Sequence, residues 1–214
     1  MRSLAYPHVD AVPAMQRQVE AFVGAASALD DLALLGPSRC HGWSLLDLVV
    51  HVRLGLQEMA VGTTSRTDEA PDHDAASYWS TRPDDRDDDP VPHILWLRRT
   101  ASAYVRPTSA VTHLRDVATA AIAAVRAMPE GVVGFQGQRM TTGDFVATWV
   151  VELAVHQLDL GDDDDVPGAG WARATIEAVA DADLPAALDD RSAVLAGLGR
   201  PGSRPLGLPY PIGL

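Results

Sequence analysis

Apolar positions recur along the chain with a helical period from the start. Met15, Val19, Phe22, Val23, Ala26, Leu29 and Leu32 follow one another at spacings of three and four, which predicts an amphipathic helix over about 12–35, ended by Gly36-Pro37. Pro13 suits a first-turn position there, where its missing N–H costs nothing. Ser44, with Asp47 three residues on, opens a second helix over about 45–61, and Gly62 stops it. Residues 62–90 are acidic, rich in Pro and Ser and without apolar period, so they predict a long loop. Within it Ser77-Tyr78-Trp79 is the part able to pack, as a flap on the domain. The loop's Asp runs would at most attract a divalent cation loosely, a solvated loop is the plainer reading, and a lid role stays open.

A short helix is expected over 94–105, broken by Pro107, then an alanine-rich one over 109–128 with Val111, Leu114, Val117, Ala121, Val125 and Met128 on one stripe. "GVVGFQGQRM" (131–140) predicts a turn or a short β excursion. Thr141 and Asp144 start a last long helix that runs to about Leu160. Smaller helices over 171–182 and 191–198 and a Pro/Gly-rich tail follow. The fold class expected is therefore all-α, a four-helix bundle with a long acidic loop and small C-terminal helices. The bundle would occupy residues 1–165 and a short extension 166–214.

Composition narrows the function. The 214 residues carry a net charge of −12, which argues against a nucleic-acid partner. All 17 basic residues are Arg, so Schiff-base and lysine general-base chemistry are excluded, and the usage hints at a GC-rich genome. A single cysteine, Cys40, excludes an intrachain disulfide. The N-terminus lacks the apolar core of a signal peptide and no run approaches a membrane span, so a soluble cytoplasmic protein is expected.

The candidate chemistry lies in "WVVELAVHQLDL" (149–160). On a helix, Phe145, Trp149, Glu152, His156 and Asp159 fall on one face, and the aromatics should turn that face inward. An ionised Glu in apolar surroundings costs several kcal/mol unless it is paired, coordinated or protonated. Glu152 and His156, four residues apart, are half of a metal site; a zinc site that works on substrate takes three protein ligands and leaves a fourth position open. His51, set among Leu48, Val49, Val50, Val52 and Leu54, is the best third ligand, and Gly55 one turn on would leave room for a bound molecule. Asp159 either accepts the His156 ring N–H that faces away from the metal or caps the following turn. Asp47 is either a similar partner of the His51 ring or part of the helix cap. By spacing alone the set suggests a metal site, while a lone core histidine is more commonly a hydrogen-bonded structural residue.

"CHGWSLLDLVVHV" (40–52) resembles the N-terminal motif of the mycothiol-dependent maleylpyruvate isomerase family, within the larger DinB-like superfamily. "VVELAVHQLDL" (150–160) resembles the same family's second motif, and "SYW" and "RSAVLAGLGR" (191–200) also look like its members. The resemblance implies a DinB-like bundle in which His51, Glu152 and His156 bind a divalent metal, usually zinc. Its open position would receive water or the thiolate of mycothiol, the actinobacterial small thiol. The expected function is thus a metal-dependent thiol transferase or isomerase acting on a small electrophile. The alternative is a non-catalytic metal- or ligand-binding bundle with a stress-response or regulatory role. The isomerase branch carries a further C-terminal domain; the roughly 50 residues after the second motif look too short for it, so maleylpyruvate itself does not carry over. A homodimer is possible for such bundles.

Other residues receive blander readings. Cys40-His41 is expected to be structural, since adjacent residues rarely face each other. Trp43 is expected to anchor the helix start, and Arg53 to face solvent. His93 and His113 are able to approach the bundle centre, with His113 a minor alternative ligand, whereas His8 and His73 are assigned nothing. "GVVGFQG" lacks the order of a phosphate loop.

Overall fold

The structure, a computed structural model, describes residues 1–80, 90–161 and 165–213. Four helices form its body: α1 (His8–Ser27), α3 (Leu45–Gly62), α6 (Pro107–Ala127) and α7 (Thr142–Leu160). Short α2 (Asp31–Leu34) follows α1, α4 (Ser77–Ser80) and α5 (Val91–Ala101) lie between α3 and α6, and α8 (Ala169–Ala180) and α9 (Asp190–Gly197) come after α7. In the bundle, α1 packs on α7 and α6, and α3 packs on α6 and α7. Helices α8 and α9 pack on each other and on α7. The all-α expectation holds, with one addition: β1 (Arg66–Thr67), β2 (Val132–Phe135) and β3 (Gln138–Thr141) form a small antiparallel sheet in that order.

Local chemistry accounts for most boundaries. The Ser44 hydroxyl accepts the Asp47 N–H at 3.1 Å, and the Asp47 carboxylate accepts the Ser44 N–H at 2.9 Å, a complete capping box. The Thr141 hydroxyl accepts the Asp144 N–H in the same way at 3.1 Å, and Gly161, at φ 87°, ends α7 in the left-handed conformation. Gln136 and Gly137 both have positive φ and join β2 to β3 in a two-residue turn.

Three expectations need correction. Helix α1 begins at His8 rather than near residue 12, so Pro13 lies inside it instead of in its first turn. The lost ladder hydrogen bond is tolerated because Ala11, Ala14 and Met15 are buried around it. The same helix stops at Ser27, because Asp30 accepts the Ala33 N–H at 2.8 Å and starts α2 as a separate turn. Pro107 is the first residue of α6, not merely a breaker, and the helix before it lies three to four residues earlier than expected. The Asp run at 84–89, on which the cation-attraction reading rests, lies outside the described residues, as does the 81–89 part of the loop expected to be a lid. The flap expectation for Ser77-Tyr78-Trp79 matches α4, where Tyr78 and Trp79 are buried.

Helix α7 is the axis of the molecule. All of its residues are buried except Glu152, as expected of a helix that is apolar on every side. Phe145, Leu153 and Leu158 are fully enclosed, each contributing about 1.5–3 kcal/mol through burial. Glu152 interrupts that cover at the place where α3 faces α7.

Candidate metal centre

Helices α3 and α7 bring His51, Glu152 and His156 together. Glu152 Oε1 lies 3.0 Å from His51 Nε2 and 3.2 Å from His156 Nε2, and the three ligand atoms all lie within 4.8 Å of one another. The two imidazoles stand nearly perpendicular, with centroids 4.8 Å apart. Ligand bonds of about 2.0–2.1 Å in a tetrahedron imply ligand atoms about 3.3 Å apart, close to both histidine–glutamate separations. The donor set, two nitrogens and one carboxylate oxygen, is one that suits zinc.

Charge in the cluster is shared. Burial opposes ionisation of Glu152, but the His156 charge and the hydrogen bonds from His156 and His51 outweigh it and hold the carboxyl well below its usual range. Burial likewise opposes a charged His156, yet the Glu152 carboxylate, with Asp159 and Cys40 as hydrogen-bond partners, keeps its pKa well above the usual value. His51 is pushed down, chiefly by burial, and so favours the neutral ring that ligates metals. A divalent cation between the three side chains would take over the role that the His156 proton plays for Glu152. The residues present therefore fit such an ion.

Behind His156 the structure adds an outer layer. Asp159 Oδ2 lies 3.2 Å from His156 Nδ1, the arrangement in which a carboxylate accepts a hydrogen bond from Nδ1–H and Nε2 is the nitrogen left to ligate. Arg200, from the segment after α9, grips Asp159 with Nε at 2.8 Å and Nη2 at 3.0 Å. Burial would raise the Asp159 carboxyl, but His156 and Arg200 bring it down to about 2. The Cys40 thiol donates to the same carboxylate at 3.0 Å. Cys40 is delivered there because Arg39 donates from its backbone N–H to the Asp159 carbonyl and from its guanidinium to the Leu158 carbonyl, satisfying the last turn of α7. Trp43 lies over the cluster, 4.9 Å from the His51 ring and 6.2 Å from that of His156.

Several residues thus stand elsewhere than expected. Asp47 is held in the capping box with Ser44 and is not a partner of the His51 ring, so the outer-layer reading of Asp47 is corrected to the cap. Arg53 is buried rather than exposed and donates to Gln57. Gly55 lines the larger cavity beside the cluster, in keeping with the room expected of it, and a Cβ there would come within 2.9 Å of the Trp149 ring. His113 pairs with the Tyr104 hydroxyl on the surface, away from the centre, while His93 approaches to 6.2 Å of His51. Cys40, Trp43 and Arg200 are neighbours of the site that residue-by-residue reading missed. Their signal was the motif context, since "CHGW" and "RSAVLAGLGR" contain all three.

Two cavities meet at the cluster. The larger, about 540 Å³, lies between α3, α4, α5 and α7 and has His51 and Glu152 in its wall. The smaller, about 300 Å³, is lined by Cys40, Trp43, His156 and Arg200 as well as by His51 and Glu152.

Known proteins show the same architecture. A family model described as the mycothiol maleylpyruvate isomerase N-terminal domain matches residues 15–161. The fold is similar to a crystal structure of a histidine-to-alanine mutant of mycothiol-dependent maleylpyruvate isomerase, with a TM-score of 0.53 and 16% identity, over 79% of this chain and 69% of that one. No curated protein matches the chain.

Proposed function

The chain belongs to the mycothiol maleylpyruvate isomerase N-terminal domain family, and from that premise we propose that it is a metal-dependent thiol transferase or isomerase. In this reading His51, Glu152 and His156 hold a divalent ion, zinc in the first instance, and the co-substrate is a small thiol of the mycothiol kind. The observation that supports it best is the meeting of two imidazole Nε2 atoms, from different helices, on one oxygen of a buried carboxylate.

Bound there, zinc would supply a Lewis acid able to hold a thiol as its thiolate at neutral pH, the form that attacks small electrophiles. The protein's own side chains set the conditions for that chemistry. Glu152 contributes the negative ligand, and His51, kept neutral by burial, contributes a lone pair. Asp159 accepts a hydrogen bond from Nδ1–H of His156, and Arg200 fixes Asp159. Trp43 shields the ring pair from solvent on the side of the smaller cavity.

A second reading has its own support. Two imidazoles already satisfy Glu152 by hydrogen bonding, as in a purely structural buried cluster or a non-catalytic ligand-binding bundle. Elemental analysis combined with mycothiol titration separates the two. The enzyme reading expects about one zinc-like ion per chain, lost in His156→Ala, and saturable thiol binding that needs the ion. Protein that stays metal-free after supplementation, with undiminished stability, would sink the metal site. Metal without thiol binding would favour the non-catalytic bundle.

A further inference from the structure

The larger cavity differs in chemistry from what a dicarboxylate substrate needs. Its walls carry the aromatic rings of Tyr78, Trp79, Trp96 and Trp149. No arginine lines it among the described residues, and the chain has no lysine. Its carboxylates among the described residues are Glu152 at the cluster and Glu58. Glu58 is held in place: the Tyr78 hydroxyl donates to Gln136 Oε1 at 3.1 Å, and Gln136 Nε2 donates to Glu58 Oε1 at 3.1 Å. With a divalent cation between His51, Glu152 and His156, Glu152 is more than matched, whereas Glu58, on the wall away from the cluster, has no cationic partner among the described residues. Among the described residues, a carboxylate on the substrate would face that charge or an indole, with no guanidinium to receive it. Arg200 opens on the smaller cavity, and its charge is already matched by Asp159. A volume of about 540 Å³ lies within the range of drug-sized ligand sites, and aromatic walls favour flat apolar bodies.

We propose that the 540 Å³ cavity beside His51 and Glu152 takes an uncharged electrophile with an aromatic or similarly flat apolar body, and discriminates against dicarboxylates. The inference rests on the metal-dependent thiol-transfer reading for what happens to that substrate, but the cavity's selectivity is measurable without turnover.

The probe is N-phenyl-1-naphthylamine, a neutral dye that brightens in apolar sites, titrated into zinc-supplemented protein whose zinc content is measured on the same sample. Saturable binding is expected, with maleate failing to displace the dye at a large excess. Trp96→Ala, at a partly exposed wall position, should weaken the dye by about tenfold through loss of one ring face. Leu54→Trp, which fills the cavity, should abolish binding, and folding of both variants is checked by circular dichroism. Glu58→Arg should make maleate a competitor, severalfold stronger than against the parent. Displacement of the dye by maleate in the parent protein, or dye binding indifferent to both Trp96→Ala and Leu54→Trp, would overturn the assignment. Protein that stays zinc-free after supplementation yet binds the dye at this cavity would refute the metal reading and keep the cavity assignment. Zinc-loaded protein that ignores the dye would do the reverse.

Discussion

Asp159 is an unusual residue for its position. It sits in the last turn of α7, where the helix dipole disfavours a negative charge, yet its side chain is fully buried. The charge is tolerated because Arg200 grips it with two guanidinium nitrogens and His156 meets its other side. Outer partners of this kind orient a ligating ring, and their loss commonly costs 10–100-fold in metal affinity. Asp159→Asn is therefore expected to weaken zinc by about that factor, and Arg200→Met by about tenfold, with Arg200→Lys intermediate because an ammonium cannot make both contacts. Competition with a chelating indicator measures all three. Unchanged affinity in Asp159→Asn would mean that the carboxylate does not control the ring. The inward stripe on α7 left Asp159 legible in the sequence as either a partner of His156 or a cap, and the structure puts it 3.2 Å from the His156 ring. Arg200 was not, since any of 17 arginines is equally able to pair and only the folded tail selects one.

Among the elements, α3 shows how one carboxylate supports two readings until the backbone is placed. Asp47 lies one turn before His51 and would suit either a ring partner or a cap; the structure puts it in the capping box, with its oxygen on the Ser44 N–H. The two roles differ in consequence. Asp47→Ala should destabilise the fold by about 0.5–2 kcal/mol, as lost caps do, and leave the zinc content of the protein unchanged. Urea unfolding with metal analysis on the same sample checks this, and a fall in zinc content without loss of stability would restore the ring-partner reading. Helices with strong periodicity and a capping pair, α3 and α7, were legible within a residue or two at their starts. Helices α1 and α5 were less so, because their ends depend on tertiary burial around Pro13 and on Asp30 starting a new turn, neither of which apolar period reports. The joining of β1 to the hairpin, Arg66 opposite Val133, was invisible for a similar reason: two residues of strand carry no pattern.

For the molecule as a whole, the Asp159–Arg200 pair ties the C-terminal segment to the bundle that matches the family, and its strength is linked to pH. The Asp159 carboxyl is depressed in the folded protein to about 2, burial being outweighed by His156 and Arg200. A group whose folded pKa lies below its unfolded value stabilises the fold fully above the unfolded value, near 3.9, and loses that contribution as pH falls through the folded one. A depression of this size corresponds to about 2.5 kcal/mol at neutral pH. The other carboxylates of this acidic chain titrate in the same range, so the comparison must be between wild type and Asp159→Asn, which share them. Urea unfolding of the metal-free proteins is expected to show a gap of about 2.5 kcal/mol in favour of wild type, constant from pH 7 to 5. The gap should narrow below about pH 4, where the unfolded-state carboxyl takes up its proton, and vanish near 2. A gap that persists unchanged at low pH would show that Asp159 contributes through shape and hydrogen bonding rather than charge. The C-terminal segment would then be held by its packing against α7 and not by the ion pair behind the cluster.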